Sequence, residues 1–539
     1  MKLNRIGIAD PKLWEQAGIK LPCFDIDKMV QNTKEAPRWI HFGTGNLFRA
    51  FHAVAMQNLL DEGLADTGIV ACKTFDGDTL DTIFTAYDNL NIVSILSEDG
   101  QAHHRVIASI AEVLRLDGQR PEHLANLFER FEAPSLQMVS FTITEKGYEV
   151  KDADGQPLPI IQQDIAGGPD KPVSTLGIAT AGLYRRYLKG QKPVAMVSTD
   201  NAAMNGDKLH AAVRYIAEQW VQQHGLPQGF LDYIDNKNLV GFPVTMIDKI
   251  TPRPDPAVEK MLADLGVEGM TPVKTDKGSF IAPFVNAETT EYLVIEDAFP
   301  AGRPPLEKAG VYFTDRETVN RVERMKVSTC LNPLHTALAV LGCLLGYNRI
   351  YEEMRDEDLV KLVKRIAYVE GMPVVTNPGI IDPKAFADEV INKRFPNPFI
   401  PDAPQRIATD TSKKLGVRFG ETIRMYGEKG LDSSQLVAIP FVLAAWLRYL
   451  VGKDDNLDEL KLSSDPKLAE VQPLVQKFAF GDTITAEQLR PILSMTDIFG
   501  ADLYKAGLAD RIAQYFTRMM AGKGAIRATL HEVANTKGY

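Results

Sequence analysis

"WIHFGTGNLFRAF", residues 39–51, reads as a strand, a glycine turn and the opening of a helix. "WIHFG" has the β-branched and aromatic content of a short buried strand, and Phe48, Phe51, Ala55 and Leu59 fall on one face of the helix that follows. In such a turn Gly43 permits the tight bend. Gly45 lets the backbone approach a pyrophosphate that rests against the helix N-terminus, where N–H groups lack intrahelical partners. Asn46 and Leu47, which open the helix, belong to the same candidate set. The usual third glycine is replaced by Phe48. A plain tight turn is the competing reading. The next strand, "GIVACKTF", runs into "DGD", where Asp76 or Asp78 would take the ribose hydroxyls of an adenosine and favour NAD; Lys73 stands close by.

Outward from this turn, the chain has 539 residues, enough for two or more domains. A net charge of -10, with no cluster of Lys and Arg, disfavours nucleic acid or an anionic membrane as the main partner, so a small molecule is expected. Cys23, Cys72, Cys330 and Cys343 lie far apart and suggest neither a disulfide framework nor a thiolate zinc site; no metal site is expected. The start carries no apolar signal core, so a cytoplasmic location is expected. The apolar runs "CLNPLHTALAVLGCLLGY" and "LVAIPFVLAAWLRYLVG" are interrupted by Pro and polar residues, and both read as buried helices rather than membrane spans.

In the first half, "GIVACKTF", "NIVSILS", "QMVSFTITE" and "PVAMVSTDN" alternate with amphipathic segments, the pattern of a helix-covered parallel sheet. Beyond "PAGRPPLEKAG" the patterns become long and helical. The expectation is an α/β fold, with a Rossmann-like dinucleotide-binding domain over 1–305 and a mostly α-helical substrate domain over 306–539.

The second decisive stretch is "KVSTCLNPLHTAL", residues 326–338, which sets a lysine, an asparagine and a histidine in an apolar run. Asn332 and His335 are three apart and share a helix face. Lys326 lies nine residues before His335, about half a turn out of phase at ~3.6 residues per turn, so it must precede the regular helix or be joined to it by a π-bulge. A desolvated lysine can serve as the base for a hydroxyl proton while Asn332 and His335 stabilise the oxygen. The competing reading is a capping asparagine before Pro333, a core histidine and a snorkelling lysine.

"IHFGTGNLFRAFHA", "VSFTITEKGY", "VSTDN", "FPVTMIDKITP", "EYLVIEDAFPAGRP", "ERMKVSTCLNPLHTAL" and "KRFPNPFI", in this order, resemble the polyol-specific long-chain dehydrogenases, a family that includes mannitol 2-dehydrogenase and the hexuronate reductases. The resemblance implies an NAD-dependent, metal-independent oxidoreductase of sugar acids with Lys326 as general acid/base. Glu323 would relay the proton, and Asn332 and His335 would polarise the carbonyl. Asn201 would be a further oxygen donor, Asp248 would hold the lysine or a substrate hydroxyl, and Arg394 would bind substrate oxygens. Thr144 of "TEKGY" joins the cofactor set. The nearest implied substrate pair is D-fructuronate and D-mannonate, with tagaturonate/altronate and fructose/mannitol as alternatives and a nicotinamide-binding sensor as the non-enzyme reading. The family usually has one residue fewer between the lysine and the asparagine, and small residues where Pro333 and Leu334 stand here. No oligomeric state follows from the sequence.

Overall fold

Trp39–Phe42 is a strand whose four residues are all buried. Ile40 and Phe42 enter one apolar cluster and Trp39 the other, as the twofold alternation of a strand dictates. It lies at the centre of a six-stranded sheet. Counting only the strands of that sheet, these are β1 (Trp39–Phe42), β2 (Ile69–Lys73), β3 (Ile110–Arg115), β4 (Met138–Phe141), β5 (Val194–Ser198) and β6 (Val240–Gly241). The order is β3-β2-β1-β4-β5-β6 and every pairing is parallel. This is the doubly wound dinucleotide-binding order, whose direction of winding reverses between β1 and β4. Helices Pro121–Glu132, Thr175–Leu188 and Asn205–His224 cover one face, and the segment Phe48–Asp61 covers the other. That last segment opens as a π turn over Phe48–His52 before becoming α-helical at Ala53, a detail the helical spacing alone does not reveal.

The computed structural model describes residues 1–536. The described residues form two compact units, 1–97 with 101–319, and 98–100 with 320–536. The division falls later than the 305/306 boundary read from the Pro/Gly-rich connection. Beyond that connection Tyr312–Thr314 still pairs in parallel with Tyr292–Glu296, which itself pairs with Thr245–Asp248, so the chain stays in the first unit's strand framework. "NIVSILS" does form a strand, but in a separate mixed sheet with Ile19–Lys20, Ala102–Ile107 and Phe284–Glu288.

The second unit is helical. Its helix Ala438–Leu450 is buried at every position. The run Arg316–Leu345 is helical over 30 residues and apolar enough to span a membrane by composition; the sequence reading, which saw it broken by Pro333, made it shorter. It is a core helix: 83% of its apolar window is buried within the protein. Pro333 sits in the first turn of a new α-helical stretch, a position that suits proline's fixed φ.

Two imidazoles are sealed beneath the β1 turn. His41 Nδ1 lies 2.6 Å from Ser140 Oγ and its Nε2 2.9 Å from Thr142 Oγ1, while His52 Nε2 lies 2.8 Å from Thr199 Oγ1. Their ring centroids are 5.0 Å apart. Burial holds His41 well below its ordinary pKa and His52 down to about 4. Below about pH 6.5 the unfolded chain therefore takes up protons that the native state refuses, and stability falls as pH drops through this interval. Chemical unfolding should show His52 removing about 2 kcal/mol between pH 7.5 and pH 5. His52→Gln should lose correspondingly less over the same interval; an equal loss would assign the pH dependence to other groups.

Candidate active site

In the first unit the site begins at the turn after β1. Gly43 has φ +119, and its N–H donates to Cys72 O at 2.9 Å. A Cβ there would lie 2.4 Å from Thr142 Oγ1, so only glycine fits against the end of β4. Gly45 differs: a Cβ on it would meet nothing within 4 Å. Its backbone faces a hollow lined by Gly43, Thr44, Lys73, Thr142 and Thr175 among others. The Asn46 side chain is engaged within the protein: it donates to Pro252 O (2.8 Å) and accepts from Arg49 (2.9 Å). Leu47 packs on the core cluster behind the turn.

Two cations underlie this turn. Burial draws Arg49 down to about 9; burial also draws Lys73 down to about 8, against the opposing pull of Asp76 and with Arg49 adding to the decrease. A glycine turn open at Gly45, at the switch point of the sheet and above two desolvated cations, fits a dinucleotide pyrophosphate.

The two ribose candidates are engaged within the protein. Asp76 is buried at φ +55 and accepts from Thr275 Oγ1 at 2.6 Å. Burial opposes its ionisation, but hydrogen bonds from Ser279 and Thr275 and the charges of Lys73 and Lys277 outweigh it and keep the carboxyl below its ordinary pKa. Asp78 is exposed and paired with Arg115 at 2.8 Å.

Thr144 occupies φ 67, ψ 159, a region that is nearly glycine's alone and costs on the order of 1–3 kcal/mol. Asp200 holds it there. The carboxylate accepts from Ile143 N and Thr144 N, both at 2.9 Å, and from Tyr148 Oη at 2.6 Å. Sequence reading passed over Asp200, although it directly precedes the candidate Asn201. Asn201 is exposed past the end of β5, and Asp248 is buried as the last residue of strand Thr245–Asp248, opposite Tyr292.

The helix α1 (Arg316–Met325), which begins at the end of the first unit, passes in the second into a π turn, Lys326–Cys330, and then α2 (Asn332–Leu345). The π-bulge that the spacing allowed is therefore present: Leu331 N donates to Lys326 O at 3.1 Å, five residues back. In this register the donor to Ser328 O would be Pro333, which has no N–H, and Thr422 Oγ1 supplies the bond instead at 3.0 Å. The wider turn also moves Lys326 out of opposition to His335. Lys326 is buried, and Glu323, half-buried, stands one turn before it. Of the 14 residues of α2, only Asn332, His335 and the terminal Leu345 are not buried. An otherwise sealed core helix thus opens at the two residues singled out for their chemistry.

His335 Nε2 lies 3.2 Å from Asp402 Oδ2, and its ring packs on Phe395 with centroids 5.3 Å apart. Burial lowers the imidazole pKa and outweighs the opposing pull of Asp402, so the ring is neutral near pH 7. Arg394, buried, closes another π turn, Val390–Arg394, next to Phe395. Arg418 lies on a third, Gly416–Gly420, and its Nη1 donates to Asn332 O at 3.2 Å and to Thr336 Oγ1. Asp402 and Arg418 were not foreseen. "IPDAP" offers a weak hint of the first, and nothing local marks the second.

A doubly wound dinucleotide domain followed by a helical unit presenting lysine, asparagine and histidine defines a nicotinamide-dependent oxidoreductase. Residues 37–308 match the mannitol dehydrogenase Rossmann domain and residues 318–520 the mannitol dehydrogenase C-terminal domain, and the chain belongs to the mannitol dehydrogenase family. It is 48% identical to D-mannonate oxidoreductase of Thermotoga maritima over 537 residues, 99% of each chain. It is 29% identical to D-mannonate oxidoreductase of Escherichia coli, covering 86% of this chain and 88% of that one. Among solved structures, mannitol 2-dehydrogenase of Pseudomonas fluorescens in ternary complex with NAD and D-mannitol superposes with a TM-score of 0.69 at 27% identity, over 99% of this chain and all of that one.

The two glycines should behave differently. Gly43→Ala meets Thr142 and should lower both stability, by about 2 kcal/mol, and cofactor affinity. Gly45→Ala should leave the melting temperature unchanged while weakening NADH binding about tenfold or more, because its methyl enters the space a pyrophosphate would occupy. NADH titration and thermal unfolding of both variants check this; equal NADH affinity of Gly45→Ala and wild type would remove the turn from the cofactor site.

Proposed function

We infer that this protein is an NAD-dependent oxidoreductase interconverting D-fructuronate and D-mannonate. The observation that carries the reading is 48% identity with the Thermotoga D-mannonate oxidoreductase along 99% of both chains. The lysine, asparagine and histidine that α2 and its π turn leave for chemistry supply a mechanism.

NAD, when bound, takes or gives the hydride. Lys326 handles the proton. As an amine it accepts the hydroxyl proton of D-mannonate, and as an ammonium it returns that proton to the ketone oxygen of D-fructuronate. Lys326 is buried, so bulk water does not compete with the substrate oxygen for its proton. Asn332 and His335 bind the same oxygen as it gains negative charge; the neutral ring of His335 adds no competing acid, and it gives its single N–H to that oxygen by turning it away from Asp402. Glu323, one turn before Lys326, carries the proton to and from solvent. Arg394 binds substrate oxygens. Asn201 and Asp248 complete the polar set, as an oxygen donor and as a partner for the lysine or a substrate hydroxyl. The first unit holds the cofactor through Gly43, Gly45 and the backbone of Asn46 and Leu47, with Thr144 beside them at the end of β4.

Loss of NADH absorbance with D-fructuronate, D-tagaturonate and D-fructose offered in parallel tests the reading, and only D-fructuronate should support fast oxidation. Lys326→Met should lower kcat by about 10²–10⁴-fold with NADH affinity preserved, since general acid/base catalysis contributes roughly that much. A variant retaining more than about a tenth of wild-type kcat would take the proton away from Lys326.

A further inference from the structure

Arg418 carries a positive charge that the protein leaves without an anion. Only Nη1 is engaged, by Asn332 O (3.2 Å) and Thr336 Oγ1. Among the described residues no carboxylate lies within ion-pair distance of it and no acceptor meets Nε or Nη2, yet neither nitrogen is sealed from solvent. Arg186 and Arg448, also withdrawn from solvent, are treated differently. Arg186 donates to the carbonyls of Phe131, Ala133, Leu136, Lys192 and Pro193, and Arg448 to those of Met519, Lys453 and Asp454. Those two side chains bind loops together: Arg186 makes five such bonds, one for each N–H, and every guanidinium nitrogen of Arg448 has an acceptor. Arg418 is not saturated, and desolvation without a counter-charge draws its pKa down to about 10. Its neighbours add no negative charge. Lys414, one turn earlier, spends its ammonium on Ile407 O (3.0 Å) and Thr409 O, and Arg406 is already paired with Asp402.

A half-desolvated guanidinium without an acid is costly unless something completes it, and a planar fork with open N–H groups is shaped for a carboxylate. Arg418 is fastened to the first turn of α2, the turn that exposes Asn332 and His335, and its charge reaches the His335 ring. We propose that Arg418 binds the carboxylate of the sugar acid and thereby sets the preference of this site for sugar acids over uncharged polyols. The assignment rests on the sugar-acid reading above and adds a residue to it: Arg394 contacts substrate oxygens, while Arg418 distinguishes charged from neutral substrates.

The test compares kcat/KM for D-fructuronate and for D-fructose, its uncharged counterpart, in wild type, Arg418→Met and Arg418→Lys, with circular dichroism confirming that each variant folds. Arg418→Met should lower kcat/KM for D-fructuronate by about 100-fold, mainly through KM, and for D-fructose by far less, with Arg418→Lys intermediate. Equal losses on both substrates, or a loss on D-fructuronate confined to kcat, would overturn the proposal. Calorimetric binding of D-mannonate and D-mannitol to the NADH-loaded protein separates this from failure of the parent reading. If wild type turns over neither ketose but binds D-mannonate about tenfold more tightly than D-mannitol, and Arg418→Met loses that preference, the carboxylate site stands while the assigned reaction fails. No preference in wild type would end the proposal.

Discussion

The site in the helical unit depends on one backbone feature, the π turn over Lys326–Cys330. An uninterrupted α-helix would set Lys326 about half a turn from His335, with the two side chains on opposite faces. The i+5 bond from Leu331 N to Lys326 O absorbs the mismatch and lets a single helical run carry both groups. The turn is not cheap, since it leaves Ser328 O facing a proline, and the structure supplies Thr422 Oγ1 to satisfy it. The consequences spread outward. Thr422 follows Arg418 by four residues, and Arg418 in turn grips the carbonyl of Asn332. Lys326, Arg394 and Arg418 all lie on π turns, which put single side chains where regular helical spacing would not.

The dinucleotide unit relies on a different constraint, close approach of two strand ends. Gly43 rests against Thr142, and Thr142 is in turn fixed by His41 from beneath. Asp200 forces the next residues, Ile143 and Thr144, into a strained turn by accepting both of their N–H groups. Buried polar groups here do not strengthen the core so much as shape the rim proposed for the cofactor, and their cost is the acid sensitivity expected of His41 and His52.

Much of this was legible in the sequence because it rests on local patterns. The strand "WIHF", its glycine turn, the parallel strands at "GIVACK", "MVSF" and "VAMVS", and the buried helix "AIPFVLAAWLRYL" all follow from period and composition. The phase mismatch between Lys326 and His335 was enough to demand either a break or a π turn. What escaped is non-local. Tyr312–Thr314 returns to a strand pairing beyond a linker that looks like a domain boundary, because its partner lies some way back in the chain. Asp76 and Asp78 look equivalent in "DGD", yet one is buried against Thr275 and the other is held by Arg115 at the surface. Arg418 sits in "GVRFG" without any signature, since its significance lies in the acid that is missing around it.

The most direct test of the central claim is a crystal structure of the protein with NADH and D-mannonate. The account predicts the Leu331 N to Lys326 O bond intact, and Lys326 Nζ within about 3 Å of the reacting hydroxyl oxygen, which Asn332 and His335 also bind. A complex in which the π turn relaxes to a regular helix, or in which Lys326 points away from that oxygen, would contradict it.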